Sequence, residues 1–157
     1  MQIPDQMTDK TSSIGTWLEP LDRLPLECDG LTRVISTLLT RDGVAHQAMA
    51  GALLVPGVGD IGLHWWIDLV DGRRVDYRAR MWLGGSEKVP HGVFTPGDEV
   101  QYSGQPVDAV LDPALFWILS NIHLAVYPTL EDAKKTAAAS LPSCTRGLRP
   151  IGTIGGR

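Results

Sequence analysis

From residue 28 onward, Leu31, Val34, Ile35, Leu38 and Leu39 recur at the three- and four-residue spacing of one helical face. The spacing predicts a helix over about 28–41. Arg41, Asp42 and Gly43 close it, with a cation in the last turn and then a residue suited to the left-handed terminating conformation. Upstream, Pro20 and Pro25 interrupt the leucines between Trp17 and Leu26, so that stretch reads as an irregular arm laid on the core. Downstream, the apolar period becomes two. Val44 to Val55 reads as a strand ending in the turn cluster Pro56–Asp60, although its alanines also allow a helix. The runs 63–70 and 73–80, joined across Asp71-Gly72, read as a β-hairpin. Further strands are expected near His91–Thr95 and Glu99–Ser103. Asp112-Pro113 opens a helix to about Ser120, and Thr129, three residues before Asp132, caps a second short one. The fold class is therefore α+β: a helix near the N-terminus packed on an antiparallel sheet, followed by short C-terminal helices.

The alternation within the hairpin fixes its register. Trp65, Ile67 and Leu69 on the first strand, with Val75, Tyr77 and Ala79 on the second, form the apolar set. These sets share a face only if odd positions pair with odd ones. A two-residue loop breaks that rule. A three-residue loop, Val70-Asp71-Gly72 with Gly72 left-handed, satisfies it. The other face then carries His64, Trp66 and Asp68 beside Arg74, Asp76 and Arg78, with His64 and Asp76 as diagonal neighbours within hydrogen-bonding reach.

Length and charge bound the function. The chain has 157 residues and a net charge of −4, which fits one domain spanning 1–157 with a core at about 17–140 and loosely packed ends (1–13 and 142–157). A net acidic chain of this size argues against a polyanion such as nucleic acid as partner. The absence of a long apolar run argues against a membrane span, and the first residues lack the pattern of a signal peptide. Two cysteines, Cys28 and Cys144, make no disulfide framework, so both are expected to be free thiols in the cytoplasm. No spacing of Cys and His fits a metal site, and no cofactor is expected.

Cys28 stands where the long helix begins, and free backbone N–H groups together with the helix dipole favour an anion there. A thiolate, an imidazole and a carboxylate orienting that imidazole are the parts of a Cys-His-Asp acyl-transfer site, here Cys28, His64 and Asp76. The Cys28 N–H is one candidate oxyanion donor, with Trp17 Nε1 or Gln47 as candidates for a second. Gly30 leaves space for substrate near those amides, and Trp66 is either a lid over a substrate cleft or cross-strand packing. Asp68 competes with Asp76. Ion pairs of Arg74 and Arg78 with Asp68 and Asp76 would explain the charged face without any chemistry. His91 reads as structural, and His46 and His123 carry less weight still.

Cys28 at a helix start, His64 in His-Trp-Trp-Ile-Asp and Asp76 on the next strand resemble the core of transglutaminase-like cysteine enzymes, within the wider papain-like group. The resemblance covers about residues 26–82. It implies a cysteine-dependent hydrolase, a peptidase or amidase acting on a peptide or protein amide through a thioester. It equally allows an acyltransferase or transglutaminase with the same three residues, or a non-catalytic interaction domain using the Trp66/Trp82 side. The chain departs from the family in its compact His-to-Asp spacing and in lacking a glutamine in the arm before Cys28.

Overall fold

The structure, a computed structural model, describes residues 13–140. The expected loose ends, Cys144 included, lie outside the described residues apart from Ser13. Residues 13–18 form a helix, α1, which passes into a 3-10 turn over Glu19–Arg23. The arm is therefore helical for most of its length, because Pro20 falls in the first turn, where the missing N–H costs nothing. Only 24–27 is non-helical before α2, Cys28–Arg41. Gly43 takes the left-handed conformation that ends α2, with φ of +69°.

Five strands follow: β1 (His46–Val55), β2 (Gly59–Leu69), β3 (Arg74–Asp76), β4 (Gly92–Phe94) and β5 (Gln101–Pro106). They form one antiparallel sheet in the order β4-β3-β2-β1-β5. The fold is α+β, with α3 (Ala79–Trp82), α4 (Pro113–Ser120) and α5 (Leu130–Ala139) completing it. Asp112 and Thr129 cap α4 and α5 by accepting from the N–H groups of Leu115 and Asp132.

The hairpin adopts the register that alternation demands. Ile67 pairs with Val75 and Asp68 with Arg74, and Gly72 in the loop has φ of +92°. The second strand is shorter than expected, however. It ends at Asp76, and 77–80 turns away into α3. Asp76 is the reason: its Oδ1 accepts from the backbone N–H groups of Arg78 and Ala79, both at 3.0 Å, so it competes with the ladder for those donors.

Helix α2 covers the sheet with the predicted stripe, packing Leu31, Val34, Ile35, Leu38 and Leu39 against Ile67, Leu69 and Val75 in one core. Two glycines let the sheet close up on its other side. A Cβ on Gly51 would fall 2.1 Å from the Ser103 carbonyl oxygen. One on Gly104 would lie 2.5 Å from the Ala50 oxygen and 2.6 Å from the Trp66 ring. Only hydrogen fits at either position, so β1 and β5 approach closely and the Trp66 indole lies against β5.

Candidate functional site

Asp76 is the centre of the site. Its side chain is almost wholly buried, yet the carboxylate accepts four hydrogen bonds. Oδ1 takes the two amides at the start of α3. Oδ2 accepts from His64 Nε2 at 2.7 Å and from the Tyr102 hydroxyl at 2.9 Å. A buried carboxylate is tolerated only when paired and saturated in this way. Asp68, the competing carboxylate, is bound instead to Arg74 Nε at 2.6 Å.

His64 is completely buried. With Nε2 held by Asp76, its Nδ1 is left buried and without a hydrogen-bond partner. Burial is the largest influence on the imidazole and pushes its pKa down. The hydrogen bond to Asp76, the interaction with Cys28 and the charges of both together outweigh it and hold the pKa up at about 9. Cys28 is therefore an electrostatic neighbour of the ring, as Asp76 is. Its thiol is free and half-buried, at the first residue of α2. No side chain caps that helix start, so the amides of its first turn keep their donors.

Arg78 holds Cys28 in place. The ladder would set Arg78 opposite His64, but the chain has already left β3, and the buried guanidinium turns to the arm instead. Its Nε donates to the Leu26 carbonyl (2.7 Å), Nη1 to Asp22 Oδ1 (2.7 Å) and the Tyr77 carbonyl (3.0 Å), and Nη2 to the Asp22 and Leu24 carbonyls (3.1 and 2.8 Å). All five donors of the fork are used. Arg78 thus leaves Asp76 to His64 and fastens residues 22–26, which lead directly into Cys28.

Three of the residues proposed for substrate or oxyanion contacts lie elsewhere. Trp66 is buried against Tyr102, with ring centroids 5.0 Å apart, and stacks below His64 at 6.3 Å. It is packing beneath the site and neither a lid nor a partner surface. The guanidinium of Arg74 lies 4.4 Å from the Tyr102 ring centroid and 5.8 Å from that of Trp66, so a cation and two rings pack together on the polar face of the hairpin. Trp17 is a core residue whose Nε1 donates to the Pro128 carbonyl at 2.8 Å. Gln47 donates to the carbonyls of Ala48 and Val107. Neither is an oxyanion donor. A side chain on Gly30 would meet Leu26 at 3.5 Å, so this glycine borders the arm closely.

The other histidines are engaged outside the triad. His46 bonds Ser36 Oγ and the Val44 carbonyl, His91 Nε2 bonds Asp22 Oδ2 at 2.9 Å, and His123 stacks on Trp117. Among the described residues no cluster of His, Cys, Asp or Glu could hold a metal ion, and no helix is long and apolar enough to cross a membrane. The crevice at Cys28 itself, shared with Trp65, Val75 and Asp76, measures only about 10 Å³. A much larger groove, of about 560 Å³, begins at the neighbouring Glu27 and shares Tyr77 and Arg78 with the crevice. In comparisons with known proteins, no family model, curated protein or solved structure matches this chain.

Proposed function

We propose that the protein is a cysteine-dependent hydrolase of amide bonds, with a papain- or transglutaminase-like core in which Cys28 is the nucleophile, His64 carries the proton and Asp76 orients His64. One observation carries this reading: a buried histidine has one nitrogen locked to a carboxylate and the other bare, with a cysteine at a helix start as its second electrostatic neighbour. Because the carboxylate only accepts, Nε2 is the donor, which leaves Nδ1 as the nitrogen to take the thiol's proton.

The Cys28 proton passes to Nδ1, and the sulfur attacks the carbonyl carbon to form a C–S bond. The uncapped amides at the start of α2 stabilise the developing oxyanion. The C–N bond then breaks as the imidazolium returns its proton to the leaving amine. Water, deprotonated by the same nitrogen, cleaves the thioester and restores the thiol. An amine in place of water makes the same site an acyltransferase.

Iodoacetamide labelling at pH 6, read by mass spectrometry, tests the reading, with Cys144 as the internal reference thiol. Cys28 should react at least tenfold faster than Cys144, and His64→Ala should abolish the difference. Equal rates for the two thiols in the wild-type chain would overturn it.

A further inference from the structure

The crevice at Cys28 has room for about one water, so substrate reaches the sulfur from outside it. The groove beside it is the candidate approach. Its volume of about 560 Å³ lies within the ordinary range of ligand sites and is ample for a large side chain with its flanking backbone. Leu24, Pro25 and Leu26 line it on the arm, and Tyr77 and Met81 line it from the segment after β3.

Three of the charged groups in the groove, Asp22, Arg78 and His91, are committed to one another. Asp22 is shared between Arg78 and His91, and Arg78 spends its remaining donors on backbone carbonyls. Arg80 Nε donates to the Val89 carbonyl. Glu27 is exposed to solvent and Arg80 is half-buried, whereas Leu24, Pro25, Leu26 and Met81 give the groove apolar lining. Met81 is 57% exposed, although it borders a groove walled by leucines.

We propose that this groove is the specificity subsite for the acyl side of a peptide substrate and accepts one large uncharged apolar side chain, leucine- or phenylalanine-sized, between Leu24–Leu26 and Met81. The inference rests on Cys28 being the nucleophile. It adds the substrate class: a peptide with an apolar residue on the carbonyl side of the cleaved bond. The arm is the recognition wall, and Arg78 keeps it rigid, so recognition and the placing of Cys28 depend on the same four hydrogen bonds to residues 22–26.

The experiment compares 4-nitrophenyl esters of N-acetyl-glycine, N-acetyl-leucine, N-acetyl-phenylalanine and N-acetyl-lysine with the full chain. Nitrophenolate release is followed as the Cys28 sulfur displaces it and water hydrolyses the thioester. The leucine and phenylalanine esters should show kcat/KM at least tenfold above the glycine and lysine esters. Met81→Glu should bring that ratio below threefold without altering the melting temperature, since the side chain is exposed. A flat side-chain profile with iodoacetamide-reactive Cys28 would overturn the subsite and leave the nucleophile standing, as would a preference for lysine or one that survives Met81→Glu. If Cys28 is inert to both reagents, the hydrolase reading fails instead. The groove is then judged by NMR on the Cys28→Ala chain: N-acetyl-phenylalanine amide should shift the Met81 methyl signal and N-acetyl-lysine amide should not. No shift with either would remove the subsite too.

Discussion

Replacing Asp76 by Asn separates the electrostatic role of this residue from its structural one. An Asn oxygen can still accept from the amides of Arg78 and Ala79, which keeps the start of α3, while its NH2 faces His64 Nε2 and the Tyr102 oxygen. What is lost is the negative charge. In the wild-type protein the His64 pKa stands at about 9 against an ordinary value of 6.5. A group whose pKa is raised on folding contributes fully below the unfolded value and loses that contribution as pH rises through the folded one. A rise of this size corresponds to about 3 kcal/mol, present at pH 6.5 and gone above pH 9. In Asp76→Asn, burial, the largest influence on His64, is no longer offset by the carboxylate, and the ring stays neutral in the fold.

The variant should therefore be less stable than the wild type by about 3 kcal/mol near pH 6.5, with the gap narrowing to within about 1 kcal/mol near pH 9. Urea unfolding followed by tryptophan fluorescence at the two pH values measures it. A gap that is the same at both would refute the ion-pair account and reduce Asp76 to a helix cap. The same substitution turns the imidazole over chemically. An amide NH2 donates to Nε2, so Nδ1 carries the proton and no longer accepts one from Cys28. Ester hydrolysis should fall by roughly 10³- to 10⁴-fold, as expected when a triad histidine is held in the wrong tautomer.

Three further outcomes are expected. Arg78→Lys replaces a five-donor fork with a point charge and should cost about 3 kcal/mol in urea unfolding, with a matching drop in Cys28 labelling as the arm loosens. Tyr102→Phe keeps the ring against Trp66 but removes one donor from Asp76, so a loss of about 1 kcal/mol is expected. Gly104→Ala drives a methyl group into the Ala50 carbonyl and the Trp66 ring, and should cost about 3 kcal/mol or prevent folding, as read by thermal melts. A wild-type melting temperature for that variant would contradict the close approach of β1 and β5.

The parts of the molecule legible in the sequence are those governed by local period. The α2 stripe, the caps at Asp112 and Thr129 and the odd-with-odd pairing of the hairpin each depend on residues a few positions apart, and each matches the structure. The diagonal placement of His64 and Asp76 follows from that pairing. What escaped is long-range. Tyr102 reaches Asp76 from β5, 26 residues away, and Arg78 reaches Asp22 across 56. No spacing rule links such positions. The choice between lid and cross-strand packing for Trp66 stays open in the sequence because alternation assigns a face but says nothing of what covers that face. Gly51 and Gly104 held a clue, since paired glycines in strands signal a large ring lying close against the backbone.

The short β3 explains why the site and the fold cannot be altered independently. Within five residues, Val75 packs under α2, Asp76 binds His64 and starts α3, Tyr77 walls the groove, Arg78 ties down the arm before Cys28, and Ala79 is buried beneath Leu53 and Val55. A longer strand would satisfy the hairpin pattern better, yet it would give the amides of Arg78 and Ala79 to a ladder and release Asp76 Oδ1. The carboxylate would then be held on one oxygen only, and Arg78 would stay beside His64, where a fixed positive charge opposes an imidazolium. Ending the strand at Asp76 removes that cation from the histidine and puts it to use on the arm. The break in the strand is thus the condition for a buried His64 to take up a proton.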